Sequence, residues 1–170
     1  MLVILGSPFR GEDRAKGQLA ILARRHPELV ARTRQQDLTA AQTALQKAVE
    51  LDPNFAPAHF YLGRVLINQN QYQTALEYLE EARELNKDIP DLPLQIGLAY
   101  KALGQDSAAI DELEQQVSLT PDRAQVRVVL GDTYLRSGNA DEALKHLTIA
   151  EDLDPSRARA HLLLGTAMLE

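Results

Sequence analysis

Between residue 40 and residue 170 the apolar positions recur at helical spacing, and the whole pattern then recurs every 34 residues. His59, Leu62, Gly63 and Leu66 stand at i, i+3, i+4 and i+7, and Ala75, Leu79 and Ala82 at i, i+4 and i+7. Each set makes one stripe along a helix. Short polar stretches separate the stripes: "NQNQ" at 68–71, "GQDS" at 104–107 and "GNAD" at 138–141. Their Gly and Asn suit the left-handed end of a helix. Two stripes joined by such a turn predict an antiparallel helical hairpin.

The repetition is explicit in the pairs Leu62-Gly63, Ile96-Gly97, Leu130-Gly131 and Leu164-Gly165, each glycine 34 residues after the last. Behind the first three follow Ala75, Ala109 and Ala143, then Leu79, Leu113 and Leu147, then Ala82, Gln116 and Ala150, then Leu85, Leu119 and Leu153. Pro53, Pro121 and Pro155 mark the boundaries; Lys87 holds the remaining place, with Pro90 three residues on. A glycine inside a helix costs about 1 kcal/mol relative to alanine. Its return in register with small residues on the second stripe predicts that it lies where the two helices cross and lets the backbones approach.

This pattern resembles the tetratricopeptide repeat over residues 37–170: the period, the Leu-Gly pair, Tyr100 and Tyr134 three residues after that glycine, the two alanines, the leucine and the proline. The departures are Leu66 and Met168 where the family favours Tyr, Gln116 for a small residue, Lys87 for Pro, and His59, Pro93, Arg127 and His161 at a place where the family has an aromatic. The resemblance implies an all-α fold, a right-handed superhelical array of antiparallel helix hairpins, with three full repeats at 56–89, 90–123 and 124–157. A partial repeat is expected at each end. "TAAQTALQKAVELDP" matches a second helix over 37–55, with Ala41, Leu45 and Ala48 in register, and 158–170 reads as a first helix without its second. Residues 1–36 read as a degenerate, partly helical segment, with 28–36 as the degenerate partner helix and another helix over 12–26.

Composition narrows the function. With 45% hydrophobic and 5% aromatic residues the chain can bury a core and favours helices. Its net charge of −6 divides into +4 over residues 1–36 and −10 over 37–170, and an acidic array repels phosphate backbones, which argues against nucleic acid as partner. The absence of cysteine removes disulfides, thiol catalysis and cysteine-ligated zinc. No stretch approaches the roughly 20 apolar residues of a membrane span, and Leu2 to Leu5 is too short for a signal peptide. The expected setting is therefore cytoplasmic, or periplasmic if the natural N-terminus lies upstream.

Candidate chemistry fails test by test. The four histidines His26, His59, His146 and His161 are scattered and read as packing residues, so no metal site is expected. "VILGSPFRGED" has the glycine spacing of a phosphate loop, but Glu12 and Asp13 stand where Lys and Ser or Thr are needed. The carboxylates Glu77, Glu80, Glu81 and Glu84, and Asp111, Glu112 and Glu114, read as a solvated face. Neither an enzyme nor a cofactor is expected.

In repeats of this kind the first helices line a concave groove that holds partner peptides. The resemblance places Phe60, Tyr61, Arg64, Ile67 and Asn68 there from the first full repeat, and Leu94, Gln95, Leu98 and Lys101 from the second. The third supplies Val128, Val129, Asp132, Leu135 and Arg136, and the last helix Leu162, Leu163 and Thr166. Relatives that clamp an acidic chaperone C-terminus carry basic and amide residues where this chain has Phe60 and Arg64, Gln95, Gln125 and Val129. A single cation makes no clamp, so an apolar groove for a peptide or amphipathic helix of another protein is expected. The alternatives are self-association through the last helix or the N-terminal segment, and a regulatory array of a larger enzyme or envelope-biogenesis protein.

Overall fold

The structure, a computed structural model, describes residues 27–169. The expectations for residues 1–26 (the phosphate-loop-like stretch, a helix over 12–26, a docking N-terminal segment) lie outside the described residues. The chain falls into two compact units, Met1–Ala41 and Gln42–Glu170. Among the described residues every element is helical: α1 Pro27–Leu51, α2 Ala56–Asn68, α3 Tyr72–Leu85, α4 Leu92–Ala102, α5 Asp106–Leu119, α6 Ala124–Arg136, α7 Ala140–Leu153 and α8 Ala158–Ala167.

Helix α2 pairs with α3, α4 with α5 and α6 with α7, and each second helix also packs against the first helix that follows. The turns inside the hairpins place Asn70, Gly104 and Gly138 at φ 61°, 75° and 79°, 34 residues apart in the left-handed region that ends a helix. The predicted stripes are the core: Leu62, Leu79, Ile96, Leu113, Leu130 and Leu147 are fully buried, as are Ala75, Ala82, Ala109, Ala143 and Ala150.

The recurrent glycines sit at the helix crossings. A Cβ built on Gly63 would lie 2.6 Å from Cγ of Leu79 and 3.2 Å from the carbonyl oxygen of Ala75, and one on Gly131 2.6 Å from Cγ of Leu147. Side-chain contact at that distance is repulsive, so the penalty for glycine is offset by the close approach it permits. At Gly165 the same Cβ would meet nothing within 4 Å.

Two features differ from the sequence reading. No separate partner helix is seen over 28–36, because α1 continues without a break from Pro27 to Leu51; proline at a first helical turn lacks only an N–H that has no partner there anyway. The carboxylates are not all solvated: Arg83 bridges Glu80 at 3.4 Å and Glu112 at 2.8 Å, and the Tyr134 hydroxyl donates to Glu114. Neighbouring repeats are joined through these groups. Burial, followed by the Glu114 hydrogen bond and charge, pushes the Tyr134 phenol well above its usual range. Burial, with repulsion from Glu112 and Glu84, raises Glu80 in spite of Arg83.

The departures from the repeat pattern have structural causes. His59 and His161 place Nε2 2.8 Å from the carbonyls of Pro53 and Pro155, and Arg127 donates through Nε to that of Pro121 at 2.8 Å. A donor thus stands six residues after each boundary proline. Where Lys87 replaces the proline, Pro93 replaces the donor. The linker there also differs: α4 starts two residues later in register than α2 and α6, after Asp91 at φ 64°. Gln116, 1% exposed, accepts a hydrogen bond from the Leu94 N–H at 3.3 Å and donates to Thr120 at 3.1 Å. It satisfies one of the N–H groups that a helix start leaves without partner.

Candidate peptide-binding surface

The first helices α2, α4, α6 and α8 present matching faces, because residues 34 apart occupy equivalent places. The residues expected to line a groove divide by burial. Phe60, Leu94 and Val128 are 6%, 5% and 3% exposed, and each is packed inside the array. Phe60 clusters with Leu92 and Ile96, Leu94 with Leu113, Val126 and Leu130, and Val128 with Ala124, Ala150 and Ala160. Their place on the helix faces the next repeat, so they hold repeats together and offer a partner little surface. Ile67, Leu98, Val129, Leu135 and Leu163 are partly buried beside the same clusters. Gln95, Lys101 and Asp132 are half-buried, and Tyr61, Arg64, Asn68, Arg136, Leu162 and Thr166 are exposed.

Three of the expected residues, Lys101, Asp132 and Arg136, form an ion network with two that the sequence reading missed, Asp106 and Arg159. Asp132 on α6 accepts from Lys101 on α4 and, at 2.8 Å, from Arg159 on α8. Arg136 reaches back to the Lys101 carbonyl at 3.0 Å and to Asp106 at 3.2 Å. Successive repeats are laced together and the charges largely neutralised. Burial lowers the Lys101 ammonium below its usual value, outweighing the pull of Asp132. Burial also pushes Asp132 upward, but the hydrogen bond and charge of Lys101, with Arg159, outweigh it and leave the carboxyl below its ordinary 3.8.

That shift sets a sign. A carboxyl held below its unfolded value contributes stability that is present above that value and lost as the pH falls through the folded one. Asp132→Asn, which strands a half-buried ammonium, is expected to lower stability by about 1–3 kcal/mol at pH 7. It should also flatten the loss of stability below pH 4. Urea unfolding followed by circular dichroism from pH 7 to pH 3 reads both; an unchanged midpoint at pH 7 would show the network to be solvated.

Elsewhere on this face one cation stays available. The Arg64 guanidinium lies 5.6 Å from the Phe60 ring centre and 5.5 Å from that of Tyr61, with no carboxylate partner among the described residues. It borders an open cleft of about 380 Å³ between α2 and the 86–91 linker, lined also by Pro57, Ile89, Pro90 and Asp91. The sequence signal for this cleft was the break in the period at Lys87 and Pro90, which lengthens the linker that forms its far wall.

Neither histidines nor carboxylates assemble into a metal centre: among the described residues no three of His, Cys, Asp and Glu converge as ligands. His146 stacks on Tyr134 at 5.6 Å, and burial, with the Arg127 charge, keeps its pKa low. No helix among the described residues is long and apolar enough to cross a membrane.

Comparison with known proteins gives the same architecture. A search of curated proteins found no match. Among solved structures, MamA from Desulfovibrio magneticus RS-1 is 22% identical over 86% of this chain and 84% of that one, with a TM-score of 0.76. YrrB is 26% identical over 81% and 71%, with a TM-score of 0.71. The first such domain of Spaghetti (RPAP3) is 19% identical over 67% and 90%, with a TM-score of 0.64. Sequence models described as tetratricopeptide repeat match residues 31–55, 44–77, 66–130 and 102–167. One of them alone spans more than half of the chain through its two matches, over residues that carry the buried crossings at Gly97 and Gly131, and the chain therefore belongs to the tetratricopeptide repeat family.

Proposed function

We propose that the chain is a non-enzymatic protein-interaction scaffold that holds a peptide or amphipathic helix of another protein on the face of its first helices, within repeats bounded at 56–89, 90–123 and 124–157. The observation that carries this reading is the Arg64 cleft. It combines exposed aromatic and aliphatic surface with a cation that has no internal partner, whereas Lys101, Asp132 and Arg136 are already engaged. A segment that fits it places an apolar side chain against Tyr61 and Ile89 and an acceptor group on Arg64. Binding surfaces typically pair an apolar contact that supplies energy with a polar one that fixes orientation.

The relatives lend support at the level of the fold. One is described as a tetratricopeptide repeat protein with an unusual peptide-binding site, and another was solved with an HSP90 peptide bound. Peptide selection by phage display on the whole chain, followed by titration of the selected sequences, tests the reading. Tyr61→Ala and Arg64→Ala should each weaken binding about tenfold, or roughly 1.4 kcal/mol, while Glu77→Ala on α3 leaves it unchanged. Peptides whose affinity ignores both residues would move the binding surface elsewhere.

A further inference from the structure

The linker between α3 and α4 occupies residues 86–91, whereas the corresponding linkers occupy only 52–55, 120–123 and 154–157. The period is unchanged, so the added length comes out of the first turn of α4. Pro90 and Asp91 stand where the other first helices have Ala56 and Pro57, Ala124 and Gln125, and Ala158 and Arg159. Asp91 lies there at φ 64°, a left-handed backbone outside the helical range, and the helix begins only at Leu92.

This displaced stretch forms a ridge with an opening on each side. Asp88, Ile89, Pro90 and Asp91 line the Arg64 cleft and also a second cleft of about 290 Å³, whose other wall is the end of α5 with Gln116, Leu119 and Thr120. Both open at the same edge of the array, where first helices begin and second helices end. Each offers an apolar contact: Tyr61 is 50% exposed at the first and Leu119 63% at the second. Asp91 is neutralised by Arg123, but Arg64, Asp88 and Lys87 have no ion-pair partner among the described residues. Arg64 lines only the first cleft, Lys87 only the second, and Asp88 both. Along a path over the ridge the free charges therefore run positive, negative, positive.

We infer that the bound segment crosses this ridge and fills both clefts, and that it is an extended stretch of another protein in which a Lys or Arg stands between two apolar residues, with an acidic residue at either end. The inference rests on the Arg64 cleft being a binding surface. Charge sets the order of the segment: a carboxylate meets Arg64, the basic side chain meets Asp88 on the ridge, and a second carboxylate meets Lys87. A wholly acidic segment would bring like charge against Asp88. Between these contacts one apolar side chain lies against Tyr61 and Ile89 and the other against Leu119. A helix, about 10–12 Å across and straight, does not follow a convex ridge into openings on both of its sides, whereas an extended chain bends over it.

Peptides selected by phage display on the whole chain, then synthesised and titrated by fluorescence anisotropy, are the probe. Leu119→Glu and Asp88→Lys fall on exposed side chains, so both variants should keep wild-type helicity. Leu119→Glu should weaken the selected peptides about tenfold, as Tyr61→Ala does, and Asp88→Lys about fivefold, the scale of an exposed ion pair made repulsive. Selection repeated on the Asp88→Lys variant should return peptides with Asp or Glu in place of the central Lys or Arg. Peptides that depend on Tyr61 and Arg64 but ignore Leu119 and Asp88 overturn the crossing and leave the Arg64 cleft as a binding surface. Peptides indifferent to all four overturn both. A central basic residue that survives selection on Asp88→Lys overturns the assigned order of charges. Sedimentation of the chain without peptide checks the source of the segment: assemblies that Leu119→Glu dissolves would seat a second copy in the clefts, and would overturn a segment from another protein.

Discussion

Leu94→Asp is expected to unfold the repeats it joins, at a loss of more than about 4 kcal/mol, from the lost burial of a leucine and the burial of a carboxylate without a partner. Leu94 is 5% exposed in a cluster with Leu113, Val126, Leu130 and Leu147, which draws on both sides of a repeat boundary. Val128→Asp should behave alike, being 3% exposed against Ala124, Ala150 and Ala160. Both positions look like groove residues in the sequence, and on that view their replacement would remove binding and leave helicity intact. With the two side chains inside the array the expected result reverses: the circular dichroism signal at 222 nm and the urea midpoint fall together. A variant that keeps the wild-type midpoint would mean that the side chain is not enclosed. Tyr61 and Arg64, exposed on α2, are the positions at which binding and folding are expected to separate.

Gly131→Leu is the second large effect. The nearest atoms to a Cβ there are Cγ, Cδ2 and Cδ1 of Leu147, at 2.6, 2.8 and 3.3 Å. Overpacking of this kind costs about 1–3 kcal/mol, set against up to about 1 kcal/mol of improved helix propensity. The net expectation is a loss of about 1–2 kcal/mol, or a midpoint lowered by roughly 2–8 °C. Leu147→Ala alone opens a cavity, but together with Gly131→Leu it supplies the space the new side chain needs. The double variant should be more stable than the two single losses predict, with a coupling of about 1 kcal/mol. Strict additivity in thermal unfolding would show that the two residues do not share the crossing.

The hairpins, their crossings and their left-handed turns are legible in the sequence, because a helix writes its buried face into the spacing of its residues and a 34-residue period writes it repeatedly. Asn70, Gly104 and Gly138 illustrate this: polar stretches chosen for turn chemistry turned out to hold the positive φ angles. The candidate surface was legible only in part. Phe60 and Tyr61 are neighbours on the same helix with similar chemistry, yet one is 6% and the other 50% exposed, a difference set by the rotation of α2 against α4. Gln116 looked like a flaw in the repeat, and its function as a partner for the Leu94 N–H depends on a linker two residues out of register.

The sequence by itself determined that helices form, where they begin and turn, and which stripe of each is buried, since these follow from local propensity and periodic spacing along one chain. Tertiary structure alone decided which apolar residues join neighbouring repeats, which charges neutralise one another across α4, α6 and α8, and that Arg64 keeps its charge available. Such outcomes depend on distances between helices, and a pattern read along one dimension does not carry them.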